Sequence, residues 1–153
     1  MDIEKAYAYA NIKYDEKEGS LVYNVIEPKL TKKEEAVFEK LKEGLFQVIN
    51  VGISDIKTHE KMINFLEDRI QHLLKEFGID LTDKEYSKIM YYIFRDFVGL
   101  NEIEPLLKDP YIEDIGLDGT GIPVYVVHQR FGSIRTGVVY NDENKLKEFV
   151  TKL

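Results

Sequence analysis

The stretch that decides the fold runs from Gly99 to Thr136 and reads GLNEIEPLLKDPYIEDIGLDGTGIPVYVVHQRFGSIRT. A helical signal at its start is followed by β-branched segments, which a Gly-rich turn and a second, tighter turn separate. The pattern predicts one short helix and then three strands, near Ile112–Leu117, Pro123–Val127 and Ile134–Tyr140. No catalytic motif occurs within these residues, so the stretch predicts a fold and does not by itself indicate a reaction.

The segment before this stretch, residues 31–108, has helical periodicity. Thr31-x-x-Glu34 and Thr82-x-x-Glu85 are capping boxes, which mark helix starts. Three amphipathic helices of this size cannot bury their apolar stripes alone, so we expect an antiparallel three-helix bundle. The stripes are Val37, Leu41, Leu45 and Val48; Met62, Leu66, Ile70, Leu73 and Phe77; and Tyr86, Ile89, Met90, Ile93 and Phe97.

Residues 1–30 are expected to form a separate N-terminal β-hairpin segment. Alternating aromatic and β-branched residues flank the acidic turn Asp15–Gly19, and Pro28 ends the second strand because it cannot donate to a strand ladder. The expected strand positions are Tyr7, Tyr9, Ile12, Tyr14, Leu21, Tyr23 and Val25.

Residues 109–153 change from the strand period to a helical pattern that starts at Asp142. We therefore predict an α+β fold with an N-terminal β-hairpin, an antiparallel three-helix bundle, and the first part of an α/β module with an antiparallel sheet. The last helical pattern runs to Leu153 without a C-cap, so we expect this module to be incomplete and the chain to belong to a longer polypeptide.

The composition excludes several classes of protein. Of the 153 residues, 44% are hydrophobic and 32% are charged, which is typical of a globular domain. No apolar run reaches transmembrane length, and the N-terminus lacks the features of an export signal. The net charge of -7 argues against nucleic-acid binding. Cysteine is absent, which excludes disulfides and cysteine-based zinc sites and fits a cytoplasmic protein.

Four segments resemble the N-terminal region of the archaeal type II/type IV secretion ATPases, which drive archaella, pili and secretion. The resemblance covers the chain from about Tyr23 onward, and IEPL followed shortly by DPYIEDI is its most specific feature. The four segments are Tyr91–Gly99 (YYIFRDFVG), Ile103–Leu106 (IEPL), Asp109–Ile115 (DPYIEDI) and Val124–His128 (VYVVH).

The resemblance implies a helical module, a PAS-like α/β module, and then a RecA-like motor domain that hydrolyses ATP with Mg²⁺ in a homohexamer. It implies contacts with that motor domain, neighbouring subunits, a polytopic membrane platform protein and cytoplasmic archaellum ring proteins. The expected location is the cytoplasm, at the inner face of the membrane through these partners and without insertion. Because no G-x-x-x-x-G-K-[ST] occurs, we expect this chain alone to hold neither ATP nor Mg²⁺ and to be inactive.

Arg130 and Arg135 are the candidate site residues. They flank the predicted turn at Phe131–Ser133 and are the only Lys or Arg residues between Lys108 and Lys145. Arginine suits planar, bidentate contact with phosphate. The resemblance implies that arginines of this region reach nucleotide phosphates on the motor domain, in the manner of an arginine finger. An ordinary solvated turn is the alternative.

His128 is placed beside these arginines at a strand end. It is a candidate to shape a phosphate-facing edge, and a structural strand-end histidine is the equal alternative. His59, His72 and His128 have no metal-ligand spacing, and we expect His72 to be a partly buried structural residue.

The other polar motifs favour architecture. We expect Gly119–Gly121 to connect two strands. A dinucleotide-binding loop, G-x-G-x-x-G, would need a glycine at position 124, and Val124 occupies it. The carboxylates are expected to form solvated networks, and Glu113 and Asp114 to have a role in the fold. The tyrosine-rich hairpin is equally compatible with a partner-binding edge and with packing onto the bundle. The carboxylates considered are Glu34, Glu35, Asp68, Glu113 and Asp114.

Two functions remain open. The first is a regulatory and assembly module of a hexameric ATPase, with the archaellum motor expected before an archaeal type IV pilus or type II secretion ATPase. The second is a stand-alone helical interaction domain with no nucleotide role. A small independent enzyme is disfavoured, because no nucleophile-base pair or metal constellation occurs.

Overall fold

A computed structural model describes residues 8–52 and 58–152. The chain divides into two compact units, a helical unit of Pro28–Gly99 and a sheet unit that combines residues 8–27 with 100–152. The predicted α+β fold class is confirmed. Among the described residues, no helix is both long and apolar enough to cross a lipid bilayer.

The helical unit contains α1 (Lys32–Gly52), α2 (His59–Glu76) and α3 (Asp83–Phe97), and α1 packs against both of the others. The predicted apolar stripes meet in one core, except that Ile49 of α1 packs against it where Val48 was predicted. The central leucines and isoleucines of this core are fully buried. Burying each such side chain stabilises a fold by about 1.5–3 kcal/mol. The core residues are Val37, Phe38, Leu41, Leu45, Leu66, Ile70, Leu73, Leu74, Ile89, Met90, Ile93 and Phe94.

The predicted capping boxes are confirmed by their hydrogen bonds. The Thr31 hydroxyl accepts the Glu34 N–H at 3.2 Å, and Glu34 Oε2 accepts the Thr31 N–H at 2.7 Å. Thr82 and Glu85 repeat this arrangement at the start of α3. At the start of α2, Thr58 is the N-cap, and its side chain accepts the N–H of Lys61. The sequence also predicts that the Ser54-Asp55 pair breaks the helical pattern, and these two residues lie outside the described ones.

The sheet unit contains one five-stranded sheet with the strand order β1-β2-β5-β4-β3. The hairpin pairs as predicted, and β3, β4 and β5 pair antiparallel, as predicted for the C-terminal module. The parallel pairing of β2 with β5 was not predicted, and it makes the complete sheet mixed. The strands are β1 (Tyr9–Asp15), β2 (Ser20–Ile26), β3 (Ile112–Gly116), β4 (Pro123–His128) and β5 (Gly132–Val139).

The hairpin, predicted as the separate segment 1–30, therefore shares a sheet with strands from the C-terminal third of the chain. A two-stranded hairpin is marginal in water by itself, because its apolar face stays exposed. Pairing with β5 buries Tyr23 to 2% exposure and places it in a core with Val126 and Ile134. The burial of this face is the physical reason why the hairpin is not an independent element.

Short helices contribute to the apolar core on one face of this sheet. They are a 3₁₀ turn (Asn101–Ile103), α4 (Glu104–Leu107) and α5 (Glu143–Lys152). The predicted short helix near Glu104 is thus present, and it packs in the sheet unit although it was assigned to segment 31–108. Along β4, Val124 and Val126 are buried while Tyr125 is 38% exposed, so the opposite face of the sheet stays partly open.

Candidate functional site at the β4–β5 turn

The turn between β4 and β5 is short and closed by a glycine. His128 pairs with Gly132 across the two strands, which leaves residues 129–131 as the turn. The predicted turn at Phe131–Ser133 is therefore two residues too late, because Gly132 and Ser133 already belong to β5, and Arg130 lies within the turn and does not flank it. Gly132 has φ +70°, a conformation that L side chains rarely adopt. This geometry holds the turn at the end of the sheet, where Arg130 and Phe131 are exposed.

His128 holds the backbone of this turn. Its ring is only 7% exposed, and its Nδ1 atom accepts the N–H of Arg130 at 3.1 Å. Since Nδ1 is the acceptor, the neutral ring carries its proton on Nε2. The ring centroid lies 6.0 Å from that of Tyr111 and 5.0 Å from that of Phe131. His128 therefore positions the backbone of Arg130.

Arg130 presents an exposed charge in the β4–β5 turn. Its guanidinium carbon lies 5.9 Å from the centroid of the Phe131 ring, at the edge of cation–π range. Within residues 8–52 and 58–152, no Asp or Glu oxygen lies within 4.0 Å of its nitrogens. A guanidinium of this kind can offer its N–H fork to an incoming anion without first losing an ion pair.

Arg135 lies in a different environment, although it belongs to the same hairpin. It is placed on the open face of the sheet, opposite Val22 of β2 and Tyr125 of β4. Its Nη2 atom is 3.6 Å from Asp15 Oδ2, and its Nη1 atom is 3.9 Å from Glu18 Oε1. The two predicted arginines thus occupy one hairpin but have different partners.

Asp109 of the DPYIEDI segment connects β2 to the chain that precedes β3. The Tyr23 hydroxyl donates to Asp109 Oδ2 at 2.5 Å, and Asp109 Oδ1 accepts the Tyr111 N–H at 2.9 Å. Burial raises the pKa of Tyr23, and the hydrogen bond to Asp109 and its charge raise that pKa further. Sequence reasoning missed this bond, because nothing local to Tyr23 indicates a partner so far along the chain.

The remaining carboxylates have structural or solvated positions. Glu34 is buried against Lys88 in the helical unit, whereas Glu35 and Asp68 are exposed. Glu113 and Asp114 are exposed on β3, and Asp114 Oδ1 accepts the N–H of the next residue at 2.9 Å.

The other histidines lie away from this turn, and both are on α2. His59 and His72 are exposed, so the expectation that His72 is partly buried is wrong. The helix turns its apolar side with Leu73 and Leu74 to the core and leaves His72 in water. Among the described residues, no group of three side chains could hold a metal ion.

A cavity of about 390 Å³ lies between the short helices and β3 of the sheet unit. Its lining is mainly apolar, with Glu113 and Asp114 as its acidic residues. Its apolar lining consists of Leu100, Ile103, Leu106, Leu107, Ile112, Ile115, Leu117, Val124 and Phe149.

The tyrosines of the hairpin are divided between surface and core. Tyr9 and Tyr14 are 62% and 63% exposed, whereas Tyr23 is buried. Tyr7 lies outside the described residues. Tyr23 therefore packs into the core of the sheet unit, and the alternative that the hairpin packs onto the helical bundle is wrong for this residue. The exposed rings of Tyr9 and Tyr14 leave the other alternative, a partner-binding edge, as a prediction.

The chain is similar in sequence to two longer proteins. It is 32% identical over 142 residues to the uncharacterized protein MJ1288 of Methanocaldococcus jannaschii, which covers 93% of this chain and 56% of that protein. It is 28% identical over 119 residues to the uncharacterized protein MJ0900 of the same organism, which covers 76% of this chain and 20% of that protein. No protein-family model matches the chain. The chain thus spans about half of the first relative and a fifth of the second.

Proposed function

We propose that this chain is a regulatory and assembly module of a hexameric secretion-type ATPase, with the archaellum motor as the first candidate and an archaeal pilus or type II secretion ATPase as the second. The observation that carries the proposal is the exposed Arg130 on a tight, glycine-closed turn, without a carboxylate partner among the described residues. The similarity to two proteins that are longer than this chain supports a module of a larger polypeptide.

The proposed mechanism gives this chain's residues a role in binding charge. Phosphate oxygens of an ATP held by a motor domain would accept the guanidinium protons of Arg130, because developing charge on the γ-phosphate is what an arginine finger stabilises. His128 accepts the N–H of Arg130 through its Nδ1 atom and thereby holds the backbone from which the Arg130 side chain extends. The motor domain supplies the hydrolytic chemistry and the site of Mg²⁺.

In this proposal, ATP state controls the contact between module and motor. The Arg130 guanidinium binds phosphate only when a nucleotide is present. Nucleotide therefore shifts the population towards the arrangement in which the module contacts the motor domain. The module would transmit this shift to neighbouring subunits, a polytopic membrane platform protein and cytoplasmic archaellum ring proteins. Its location would be the cytoplasm, at the inner face of the membrane through these partners.

A stand-alone interaction domain is the second candidate function. The apolar cavity of about 390 Å³ and the exposed rings of Tyr9 and Tyr14 favour it, because both could meet a protein partner. This function needs no nucleotide and no contact of Arg130 with phosphate.

The complete reading frame that contains this chain and its protein product distinguish the ATPase module from the stand-alone interaction domain. The ATPase proposal predicts that the frame encodes a G-x-x-x-x-G-K-[ST] loop and that its product hydrolyses ATP and forms hexamers only with nucleotide. The 153-residue chain is expected to be a monomer or a weak associate in light scattering. A frame without that loop, or a product that hydrolyses no ATP, would refute the proposal and favour an interaction domain.

A further inference from the structure

We infer that the acidic turn Asp15–Gly19 regulates the proposed phosphate site by holding Arg135 through the carboxylates of Asp15 and Glu18. The inference rests on the proposed function, since it concerns which arginine of the β4–β5 hairpin is available to an anion. Asp15 and Glu18 are positioning residues in this account, because they act through Arg135 and contact no nucleotide.

The fold itself brings the acidic turn to Arg135. The turn joins β1 to β2, and the parallel pairing of β2 with β5 places Val22 opposite Arg135. Asp15 Oδ1 accepts the N–H groups of Lys17 at 2.9 Å and Glu18 at 3.3 Å, which fixes the turn. Its second oxygen, Oδ2, is then the one that lies 3.6 Å from Arg135 Nη2.

The contact is suited to competition. The distances of 3.6 and 3.9 Å are longer than those of direct hydrogen bonds, and 26% of the Arg135 side chain is exposed. Ion pairs of this kind contribute little to stability. The Nε atom of Arg135 is buried and has no hydrogen-bond partner in the described part of the chain, so the exposed guanidinium nitrogens are the ones that an anion can reach.

The same carboxylates also repel an incoming phosphate. An anion that approached Arg135 would meet the charges of Asp15 and Glu18 within 4 Å of the guanidinium. Arg130 lacks such neighbours among the described residues. The structure thus assigns first contact with phosphate to Arg130, and it makes Arg135 available only when the acidic turn releases it.

A titration of the 153-residue chain with inorganic tripolyphosphate at low ionic strength, followed by two-dimensional NMR, tests this inference. Asp15→Asn removes the charge and keeps an oxygen that can accept the turn's N–H groups. We expect it to bind tripolyphosphate about two- to fivefold more tightly than the wild type, and Glu18→Gln to act in the same direction. Glu16→Gln is the matched control, because Glu16 lies in the same turn, is exposed and has no ion pair with Arg135.

A double-mutant cycle makes the result specific to the contact. In an Arg135→Gln background, Asp15→Asn and Glu16→Gln should have equal effects on tripolyphosphate affinity. If Arg130→Ala weakens binding while Asp15→Asn and Glu18→Gln bind no more tightly than Glu16→Gln, the inference is overturned and the proposed function stands. If Arg130→Ala binds tripolyphosphate as tightly as the wild type, Arg130 does not make the first contact with phosphate and the inference is overturned. The proposed function, in which a motor domain holds the ATP, is tested separately by the kcat of Arg130→Ala in the complete polypeptide.

Discussion

Glu34 Oε2 lies 2.6 Å from Lys88 Nζ, and the two side chains are only 4% and 13% exposed. The same oxygen accepts the N–H of Thr31 and thereby caps α1, and Lys88 Nζ also donates to the carbonyl of Lys29 at 3.2 Å. One buried carboxylate therefore joins a local helix cap to a contact between α1 and α3.

Replacing Lys88 with methionine should destabilise the chain by about 3–5 kcal/mol, because it leaves the Glu34 carboxylate buried without its partner. Chemical denaturation followed by circular dichroism measures the change. Lys33→Met is the control, since Lys33 pairs with Glu85 at 3.3 Å while its side chain is 64% exposed, and the loss of this exposed ion pair should cost far less stability. Equal costs for the two variants would contradict the buried role of Lys88.

The same pair should make stability fall in acid. Burial acts to raise the pKa of Glu34, but the hydrogen bonds from Lys88 and Thr31 and the charge of Lys88 outweigh it, so that pKa is lowered. A carboxyl with a lowered pKa in the folded state stabilises the fold above its unfolded pKa of about 4.3, and this contribution is lost as pH falls through the folded value. Glu34→Gln should therefore be less stable at neutral pH and flatten the dependence of unfolding free energy on pH below about pH 5. If the unfolding free energy of Glu34→Gln fell in acid as steeply as that of the wild type, the role of this pair would be refuted.

The local part of this network is visible in the sequence, and the long-range part is not. Thr31-x-x-Glu34 predicts a helix cap, because the two partners are three residues apart, and the structure confirms it. The same carboxylate was expected in a solvated charge network, since no local pattern indicates that Lys88 of another helix reaches it. Burial and pairing of this kind depend on how the helices pack.

In the sheet and the candidate site, too, local features are visible in the sequence and long-range contacts are not. Local sequence predicts that a glycine-containing turn joins β4 to β5, although two residues later than the structure has it. The parallel pairing of β2 with β5 joins segments far apart in the chain, and no local pattern predicts it. That pairing creates the contact of Arg135 with Asp15, so sequence reasoning could not separate the roles of the two arginines. Tyr23 and Asp109 were missed as a pair for the same reason.

Tyr23→Phe should destabilise the chain by about 1–3 kcal/mol, because it removes the hydrogen bond to Asp109 and leaves that carboxylate without one of its donors. Denaturant unfolding measures the loss. Tyr14→Phe, at an exposed tyrosine of the same hairpin, is the control and should leave stability nearly unchanged. A loss no larger than that of Tyr14→Phe would contradict the role of the bond.

The pH dependence of Tyr23 has the opposite sign to that of Glu34. Its pKa is raised in the folded state, so its contribution to stability is present below the unfolded pKa of about 10 and is lost as pH rises through the folded value. Burial raises the pKa of Tyr86 as well, so Tyr23 is not alone in resisting ionisation. In an ultraviolet titration of tyrosinate, Tyr23→Phe should show one fewer group that ionises only with alkaline unfolding than the wild type. An equal number of such groups in the two proteins would refute the assignment.

Gly132→Ala should strain the β4–β5 turn, because φ at this position is +70°. We expect a loss of about 1–2 kcal/mol in unfolding free energy. Gly116→Ala is the matched control, since its backbone is ordinary and an added Cβ would meet Tyr125 only at 3.9 Å, a normal contact. If Gly132→Ala were as stable as Gly116→Ala, the turn would not need the left-handed backbone at this position.

The most direct test of the proposed function is the steady-state ATPase activity of the polypeptide from the complete reading frame, in the wild type and in Arg130→Ala. Lys145→Ala, which removes an equal charge from an exposed position in the same unit, is the control. The account predicts that Arg130→Ala lowers kcat by about 100-fold or more, since arginine fingers contribute factors of that size or larger, while Lys145→Ala leaves it unchanged. An Arg130→Ala enzyme with the kcat of the wild type would contradict the proposed contact between Arg130 and nucleotide phosphate.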